Sequence, residues 1–251
     1  SLLLLHGLGS SGADWELQAP VFARHYRVLT LDLRGHGRSA LIPCTSIARF
    51  TAEVAAFLDA RGYRHVHVLG LSLGGMVAQR LALERPDLVA SLILVNTCAR
   101  LQLFGPRLLA LTFRRLRSVV RTDTATLGQA VAYNLFPYPE QRPLYEEAAR
   151  RQAQNDIRCY RAAAIAAARF NVESALAWLR VPTLVVAGDR DRIISWPHKV
   201  RLARRIPGAR LVVIHNSGHA TPMDQPARFN RVVLDFLEEV VYAEEAKAAV
   251  A

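Results

Sequence analysis

The stretch VHVLGLSLGGMVAQ, residues 66–79, decides the fold that this chain of 251 residues is expected to adopt. It opens with a short run dominated by Val and Leu, which is typical of a strand buried on both faces. Ser72 follows, with Gly70 before it and Gly74 after it, and a segment with helical character comes next. The stretch therefore predicts a strand, a tight turn with Ser72 at its apex, and a helix.

Similar strands are expected along the rest of the chain. Runs rich in Val, Leu and Ile occupy residues 1–5, 27–33, 89–96, 181–188 and 209–215. Helical candidates lie between them, at about residues 14–24, 46–61, 74–84, 196–206 and 224–243. This alternation predicts βαβ units and hence an α/β fold, with a doubly wound, mostly parallel sheet and helices on both faces.

The alternation of strands and helices is interrupted after Asn96. Residues 98–178 are rich in Arg and Ala, with helical spacing and no convincing strand. One apolar stripe at helical spacing is formed by Leu109, Phe113, Leu116 and Val120. We predict an α/β core of residues 1–97 and 179–251, with a helical cap inserted at residues 98–178. The stripe is expected either to wall an apolar pocket or to pack the cap on the sheet.

The composition limits the classes of function that fit the chain. The formal net charge is +11, carried almost entirely by arginine, and such a surface can attract nucleic acid, anionic lipid or acidic substrates. No zinc finger or aromatic RNA-binding motif accompanies the charge. We therefore predict no nucleic-acid partner and no role at a membrane surface, and we interpret the arginines as a solvated surface. No apolar run reaches the roughly 18 residues of a membrane span.

Three cysteines, Cys44, Cys98 and Cys159, are too widely spaced and odd in number for a disulfide framework, and they fit no zinc motif. Free thiols are typical of a reducing compartment, so we expect a cytoplasmic location. We predict no metal and no organic cofactor. The opening residues SLLLL already have the character of a buried strand, so one or two strands are expected to be missing upstream of them.

The segment Gly70-Leu71-Ser72-Leu73-Gly74 matches the pattern G-x-S-x-G. A strand before the pattern and a helix after it are the context that a nucleophile elbow requires. The apex residue of such a turn has a strained backbone, and small neighbours relieve the crowding around it. The pattern indicates that Ser72 is a nucleophile, and the alternative is a glycine-rich bend with an incidental serine.

A serine hydroxyl is a weak nucleophile at neutral pH and needs a base. Loops at the carboxyl ends of parallel strands converge on one crevice, and His219 lies in the loop that follows the last predicted strand. The loop after strand 181–188 holds Asp189 and Asp191, and either carboxylate could orient the base. We favour Asp191, because it lies further from the strand and reaches the His219 loop more easily.

The glycine-rich turn His6-Gly7-Leu8-Gly9 follows the first predicted strand. Its backbone can approach a substrate carbonyl closely, because glycine has no side chain to block the approach. We predict that the N–H groups of Leu8 and Leu73 donate hydrogen bonds to the oxyanion of the reaction. One donor of this kind is worth roughly 3–4 kcal/mol of transition-state stabilisation. The alternative is a flexible loop with no part in catalysis.

Five blocks of this sequence resemble successive blocks of the α/β-hydrolase superfamily: LLLLHGLGSSGADW, LDLRGHGRS, HVLGLSLGGMVAQRLALERPDLVASLILVNT, VPTLVVAGDRDRI and NSGHATPMDQPARFN. The subgroup is similar to the enol-lactone hydrolases, the carboxylesterases of biotin synthesis and the cofactor-free perhydrolases. The resemblance implies that Ser72 is the nucleophile, Asp191 the acid and His219 the base. It also implies strands before LLLLHG that have no counterpart in the chain.

These residues predict a serine hydrolase that cleaves a carboxylic ester or a lactone. The small-molecule acyl substrate would pass through an acyl-enzyme on Ser72. An acyltransferase or a carbon–carbon bond hydrolase would use the same three residues, and a receptor-like protein could use the fold to bind a ligand. A serine at the elbow argues against the branches of the superfamily that use aspartate.

Overall fold

Six parallel strands form one sheet in the computed structural model, which describes residues 1–101, 123–136 and 138–248. The strands are β1 (Leu2–Leu5), β2 (Val28–Leu31), β3 (Val66–Leu71), β4 (Val89–Val95), β5 (Thr183–Gly188) and β6 (Arg210–Ile214). Their order across the sheet is β2-β1-β3-β4-β5-β6, and each neighbouring pair is parallel. The predicted α/β fold with a mostly parallel sheet is confirmed.

Helices connect these strands and cover the sheet. In the described residues they are α1 (Ala19–Phe22), α2 (Ile47–Ala60), α3 (Leu73–Glu84), α4 (Thr124–Leu135), α5 (Arg142–Ala153), α6 (Ile157–Ala168), α7 (Trp196–Arg205), α8 (Thr221–Asp224) and α9 (Pro226–Ala248). Within the same described ranges, no helix is both long enough and apolar enough to cross a membrane.

Strand β1 shows how the sheet separates two apolar layers. Its four leucines are fully buried, and successive side chains of a strand point to opposite faces. Leu3 and Leu5 pack in a cluster with residues of α2, α3 and α7, whereas Leu2 and Leu4 pack in a second cluster with residues of α1 and α9. Burial on both faces explains why the strand reads as a continuous apolar run in the sequence.

The parallel sheet brings several distant parts of the chain to one edge. Because all the strands run in the same direction, the loops that follow them leave from the same end of the sheet. The first residues after β1, β3, β4, β5 and β6 are His6, Ser72, Asn96, Asp189 and His215. This edge is therefore where residues from five separate loops can form one site.

The helix predicted at residues 14–24 is divided in the structure. A 3-10 helix covers Gly12–Trp15, and α1 covers only Ala19–Phe22. Pro20 lies in the first turn of α1, where its missing N–H leaves no bond unmade. Inside a continuous helix, the proline ring would clash with the preceding turn and remove a hydrogen bond. For the same reason the last long helix begins at Pro226, after the separate short helix α8.

The described residues between β4 and β5 form the three helices α4, α5 and α6. Ala132, Phe136 and Ala148 belong to a small apolar cluster where α4 and α5 pack on each other. Helix α6 instead packs against the main core, to which it contributes Ala163, Ala166 and Ala167. The division of the chain into a core and a cap of residues 98–178 stays a prediction. The apolar stripe of Leu109, Phe113, Leu116 and Val120 lies outside the described residues.

Candidate active site

Ser72 occupies a strained turn between β3 and α3. Its backbone has φ 53° and ψ −110°, a region that residues with side chains rarely adopt. A Cβ atom at Gly70 would overlap the carbonyl oxygen of Gly74, and a Cβ atom at Gly74 would overlap that of Leu5. The two flanking glycines are therefore required by close backbone packing, as the sequence pattern predicts.

Hydrogen bonds to neighbouring loops hold the turn in this conformation. The N–H of Ser72 donates to the carbonyl of Val95 at 2.9 Å, and the hydroxyl of Thr97 donates to the carbonyl of Ser72 at 2.7 Å. Leu73 is the first residue of α3, so its N–H has no acceptor within the helix and lies at the positive end of the helix dipole. The turn thus offers a backbone donor next to the serine.

The loops after β5 and β6 bring Asp191 and His219 together. Nδ1 of His219 lies 2.9 Å from Oδ2 of Asp191, and both side chains are buried. Oδ1 of Asp191 accepts hydrogen bonds from the N–H groups of Ile193 at 2.7 Å and Ile194 at 3.1 Å. An ionised carboxylate only accepts, so the proton of His219 lies on Nδ1 and Nε2 is left as an acceptor.

The electrostatics around Asp191 keep its carboxylate ionised. Burial disfavours the charged form, but the charges and hydrogen bonds of His219 and Lys199 outweigh burial and lower the pKa of Asp191 to about 2. The ammonium of Lys199 lies 2.8 Å from Oδ2 of Asp191. Because the carboxylate of Asp191 is ionised and contacts His219, it can stabilise a positive charge on the imidazole ring.

The other candidate acid, Asp189, contacts the first residues of the loop after β6. One of its oxygens lies 3.2 Å from Nδ1 of His215, and the other accepts from the N–H of Ser217 at 3.3 Å. The structure therefore brings Asp191, and not Asp189, into contact with the candidate base. This agrees with the preference for Asp191, and the catalytic role itself stays a prediction.

Ser72, His219 and Leu8 line one cavity of about 350 Å³. The hydrogen bonds of the described residues do not include one between Ser72 Oγ and His219, although bonds of this kind are often loose in unliganded sites and tighten with substrate. Leu8 lines the cavity, and the preceding residue, Gly7, lies next to Ser72. The three loops that sequence reasoning selected therefore meet at one cavity.

His6 fixes the loop that carries Leu8, a role that the sequence did not reveal. Nε2 of His6 accepts from the N–H of Leu33 at 2.9 Å, so its proton lies on Nδ1 and is donated to the carbonyl of Gly7 at 2.8 Å. Burial lowers the pKa of His6 to about 4, so the ring stays neutral at neutral pH. The ring thus holds the Gly7 peptide immediately before Leu8.

Asn96 is a second residue that sequence reasoning missed. Its Nδ2 donates to the carbonyl of His219 at 2.8 Å and to the hydroxyl of Thr221 at 2.7 Å. Its Oδ1 accepts from the N–H of Gly188 at 2.8 Å and from the ammonium of Lys199 at 2.8 Å. One buried amide therefore joins the loops after β4, β5 and β6. Its position directly after a strand indicated that it lies near the site. Because asparagine has no charge, the sequence argument gave it no role.

The walls of the cavity are mainly apolar and come from both the sheet and the helices after β4. Apolar lining residues include Trp15, Leu127, Val131, Leu135, Ile193 and Met223. The main charged groups are Arg151 and Asp14, which lie 2.7 Å apart and pair with each other. Arg151 is also bound to Glu16 and Glu147, so its charge is already neutralised by protein carboxylates.

The residues that meet at this cavity fit nucleophilic attack on a carbonyl group, and their catalytic roles stay predictions. A serine on a strained turn, a histidine–aspartate pair and two backbone N–H groups are the parts that acyl transfer requires. Among residues 1–101, 123–136 and 138–248, no group of three or more His, Cys, Asp or Glu side chains could hold a metal ion.

The parallel sheet and the strained serine turn at its carboxyl edge define a hydrolase of the α/β type. A family model described as alpha/beta hydrolase fold matches residues 1–226, and the chain belongs to this family. The family membership and the hydrolase class predicted from the sequence are confirmed.

Several curated relatives and solved structures of similar chains carry the names of hydrolases. "Putative carbamate hydrolase RutD" from Stutzerimonas stutzeri is 32% identical, over 95% of this chain and 92% of its own length. A hydrolase from Pseudomonas aeruginosa is 33% identical, with a TM-score of 0.85 and coverage of 94% of this chain and 89% of its own. The enol-lactonase from Burkholderia xenovorans is 25% identical, with a TM-score of 0.86 and coverage of 94% and 90%.

Proposed function

We propose that the protein is a serine hydrolase that cleaves a carboxylic ester or a lactone of a small molecule. The observation that supports the proposal most directly is the buried hydrogen bond of 2.9 Å between His219 and Asp191, in a cavity that Ser72 also lines. The names of the relatives, a carbamate hydrolase and an enol-lactonase, both specify substrates with a carbonyl carbon that a nucleophile can attack.

The mechanism follows from the positions of these groups. Ser72 Oγ attacks the carbonyl carbon while Nε2 of His219 removes its proton, and Asp191 stabilises the resulting imidazolium. The N–H groups of Leu8 and Leu73 stabilise the negative charge on the carbonyl oxygen. His219 then gives its proton to the leaving alkoxide, which leaves an acyl group on Ser72. Water activated by His219 releases the acid and restores the serine.

The cavity favours substrates that are uncharged and partly apolar. Its described walls carry large apolar side chains such as Trp15, Leu127 and Met223. The nearby cation, Arg151, is bound to three carboxylates and offers no free charge to an anionic group. We expect helices α4 and α5 to act as the cap over the cleft and to determine which acyl and alcohol groups fit.

The experiment that tests this proposal is a burst measurement with short p-nitrophenyl esters. Wild type should release nitrophenol in a fast phase as the acyl-enzyme forms, followed by slower turnover. Ser72→Ala should abolish the burst, and Ser174→Ala, a change at an exposed serine, should leave it intact. Equal hydrolysis by wild type and Ser72→Ala would show that the assigned nucleophile is wrong.

Two further measurements divide the remaining alternatives. Asp191→Asn should lose far more activity than Asp189→Asn, because only Asp191 contacts His219. A larger loss in Asp189→Asn would reverse the assignment of the acid.

Adding alcohols or thiols during turnover distinguishes a hydrolase from an acyltransferase. The product of a hydrolase stays mainly the acid, whereas the product of an acyltransferase becomes the new ester or thioester.

A further inference from the structure

Lys199 is buried beside the candidate catalytic acid. It lies on α7 and its side chain is only 1% exposed, although lysine is among the residues least often buried. The chain has 32 basic residues, of which only Lys199 and Lys247 are lysine. A buried lysine in such an arginine-rich chain indicates a specific requirement for a compact cation at this position.

The contacts of Lys199 fit a side chain in the ammonium form. Nζ lies 2.8 Å from Oδ2 of Asp191, 2.8 Å from Oδ1 of Asn96 and 3.0 Å from the carbonyl oxygen of Gly188. All three partners are acceptors, since the amide of Asn96 donates through its other atom to His219 and Thr221. A neutral amine has two N–H donors and an ammonium has three, so the three contacts fit the charged form. Burial lowers the pKa of Lys199, and the carboxylate of Asp191 opposes this by favouring the ammonium.

Lys199 and His219 share one oxygen of Asp191. Oδ2 accepts from Nδ1 of His219 at 2.9 Å and from Nζ of Lys199 at 2.8 Å. When His219 is neutral and acts as a base, Lys199 is the cation in contact with this buried carboxylate. A buried carboxylate without a counter-ion is strongly unfavourable and would take up a proton instead.

We propose that Lys199 is a positioning residue of the active site, which keeps Asp191 ionised and weakens proton binding by the Asp191–His219 pair. The proposal rests on the proposed function, in which His219 is the base. A second positive charge next to the ammonium is disfavoured by repulsion, so the pair releases its proton at a lower pH than it would without Lys199. The base therefore stays available in more acidic solution.

Other titratable groups surround the pair on neighbouring elements. Cys98, after β4, is buried, and burial raises the pKa of its thiol to about 12, so it stays neutral. Asp189 lies on the same loop as Asp191 and also attracts Lys199, and it contacts His215. Asp224, at the end of α8, accepts from the N–H of Gly218, and burial raises its pKa to about 6. Asp224 therefore titrates in the range of interest and needs its own control.

The test is the pH dependence of kcat/KM in wild type, Lys199→Met and Lys199→Arg. In Lys199→Met the acid limb should move to higher pH by about one unit or more, a tenfold or greater increase in proton affinity. Lys199→Arg keeps the positive charge and should leave the limb close to its wild-type position. Lys199→Gln, which keeps a donor to Asp191 without the charge, replaces the methionine variant if that variant does not fold.

Two control variants exclude indirect effects. Leu202→Ala removes a fully buried side chain from the same helix and lowers stability without changing the charge near Asp191. Asp224→Asn removes the other carboxylate that titrates in this range. Neither control should reproduce the shift of Lys199→Met. An unmoved acid limb in Lys199→Met and Lys199→Gln, or an equal shift in Lys199→Arg, overturns the proposal.

Proton NMR separates this proposal from the proposed function. The Nδ1–H resonance of His219 reports proton binding by the pair directly, and it can be titrated in Ser72→Ala with and without Lys199→Met. If no ester is hydrolysed by wild type, the function is wrong and the titration still tests Lys199. If wild type hydrolyses esters and the resonance titrates identically in both proteins, only the role of Lys199 is wrong.

Discussion

Asn96 and Ser72 show how single residues with unusual backbones organise this site. Both have positive φ, 42° for Asn96 and 53° for Ser72, and each is the first residue after a strand. The conformation of Ser72 could be predicted, because the G-x-S-x-G pattern places a glycine on each side of it, as a tight and crowded turn requires. The role of Asn96 could not, because its partners at Gly188, Lys199 and His219 lie about a hundred residues away and no local pattern connects them.

We expect Asn96→Ala to destabilise the protein by about 3 kcal/mol or more. The change leaves the N–H of Gly188 and one N–H of the Lys199 ammonium without an acceptor, and it forces an alanine into positive φ. The measurement is urea unfolding of wild type and variant. Asn216→Ala is the matched control, because Asn216 also has positive φ but is exposed. A loss of the same size in both variants would show that the backbone alone accounts for the effect.

Asp224 gives a prediction for the dependence of stability on pH. Burial raises the pKa of the Asp224 carboxyl from 3.8 to about 6 in the folded protein, so the folded state binds this proton more tightly than the unfolded state. The stabilisation that this proton provides is fully present below pH 3.8 and is lost as the pH rises through about 6. Asp224→Asn removes this dependence. Relative to wild type, the variant should therefore gain up to about 3 kcal/mol between pH 4 and pH 7.

The free energy of unfolding of wild type and Asp224→Asn, measured by urea titration at pH 4 and pH 7, checks this difference. Asp224 accepts from Ser217 and Gly218 through separate oxygens, whereas asparagine has one acceptor oxygen. The comparison is between two pH values for each protein, so this difference in hydrogen bonding cancels to first order. A difference between the two proteins that stays constant over this range would contradict the raised pKa of Asp224.

At the scale of whole elements, the strands followed from apolar runs, and the helices predicted at residues 46–61, 74–84 and 196–206 agree with the structure to within one residue at each end. The helices predicted at residues 14–24 and 224–243 do not agree with it. Burial of β1 on both faces makes its sequence continuous and therefore recognisable. The prediction of one continuous helix at residues 14–24 was wrong. Pro20 has no N–H to donate and its ring clashes with the preceding turn of a helix, so a helix can begin at this residue but cannot continue through it. The packing of α6 against the main core was also not predictable, since its alanines have no pattern that separates core from cap.

Helix α5 gives a prediction at this scale, because Arg151 attaches it to the loop after β1. The guanidinium contacts Asp14 at 2.7 Å and Glu16 at 2.9 Å, across a wall of the cavity. We expect Arg151→Gln to raise KM several-fold with little change in kcat, since the wall loosens while the reacting groups are kept. Steady-state kinetics with one ester checks this split.

Arg150→Gln is the control for the Arg151 variant. Arg150 is the neighbouring arginine on α5, and its ion pair is with Glu147 of the same helix. It should leave both KM and kcat near wild type. Similar kinetics in the two variants would show that the attachment of α5 to the β1 loop does not shape the cavity.

At the scale of the whole molecule, the net charge of +11 creates a positive field around the protein. Such a field raises the encounter rate of anions even where no single arginine binds them. We expect kcat/KM for an ester with a carboxylate tail to fall several-fold between about 10 mM and 200 mM salt, because screening shortens the range of the field. A neutral ester with the same acyl group is the matched control and should show no salt dependence.

Strands β4 and β5 lie side by side although residues 96–182 separate them along the chain. The two ends of that long segment are therefore held close together by the sheet itself, and lengthening a loop with fixed ends costs only about 0.6 kcal/mol for each doubling. We therefore expect that the part of this segment outside Asn96 and α6 can be exchanged without separating the strand ends that position Ser72, Asp191 and His219. Because α6 belongs to the main core and Asp156 caps it, a chimera with a relative should exchange residues 102–153 and keep the native chain from Gln154 onward.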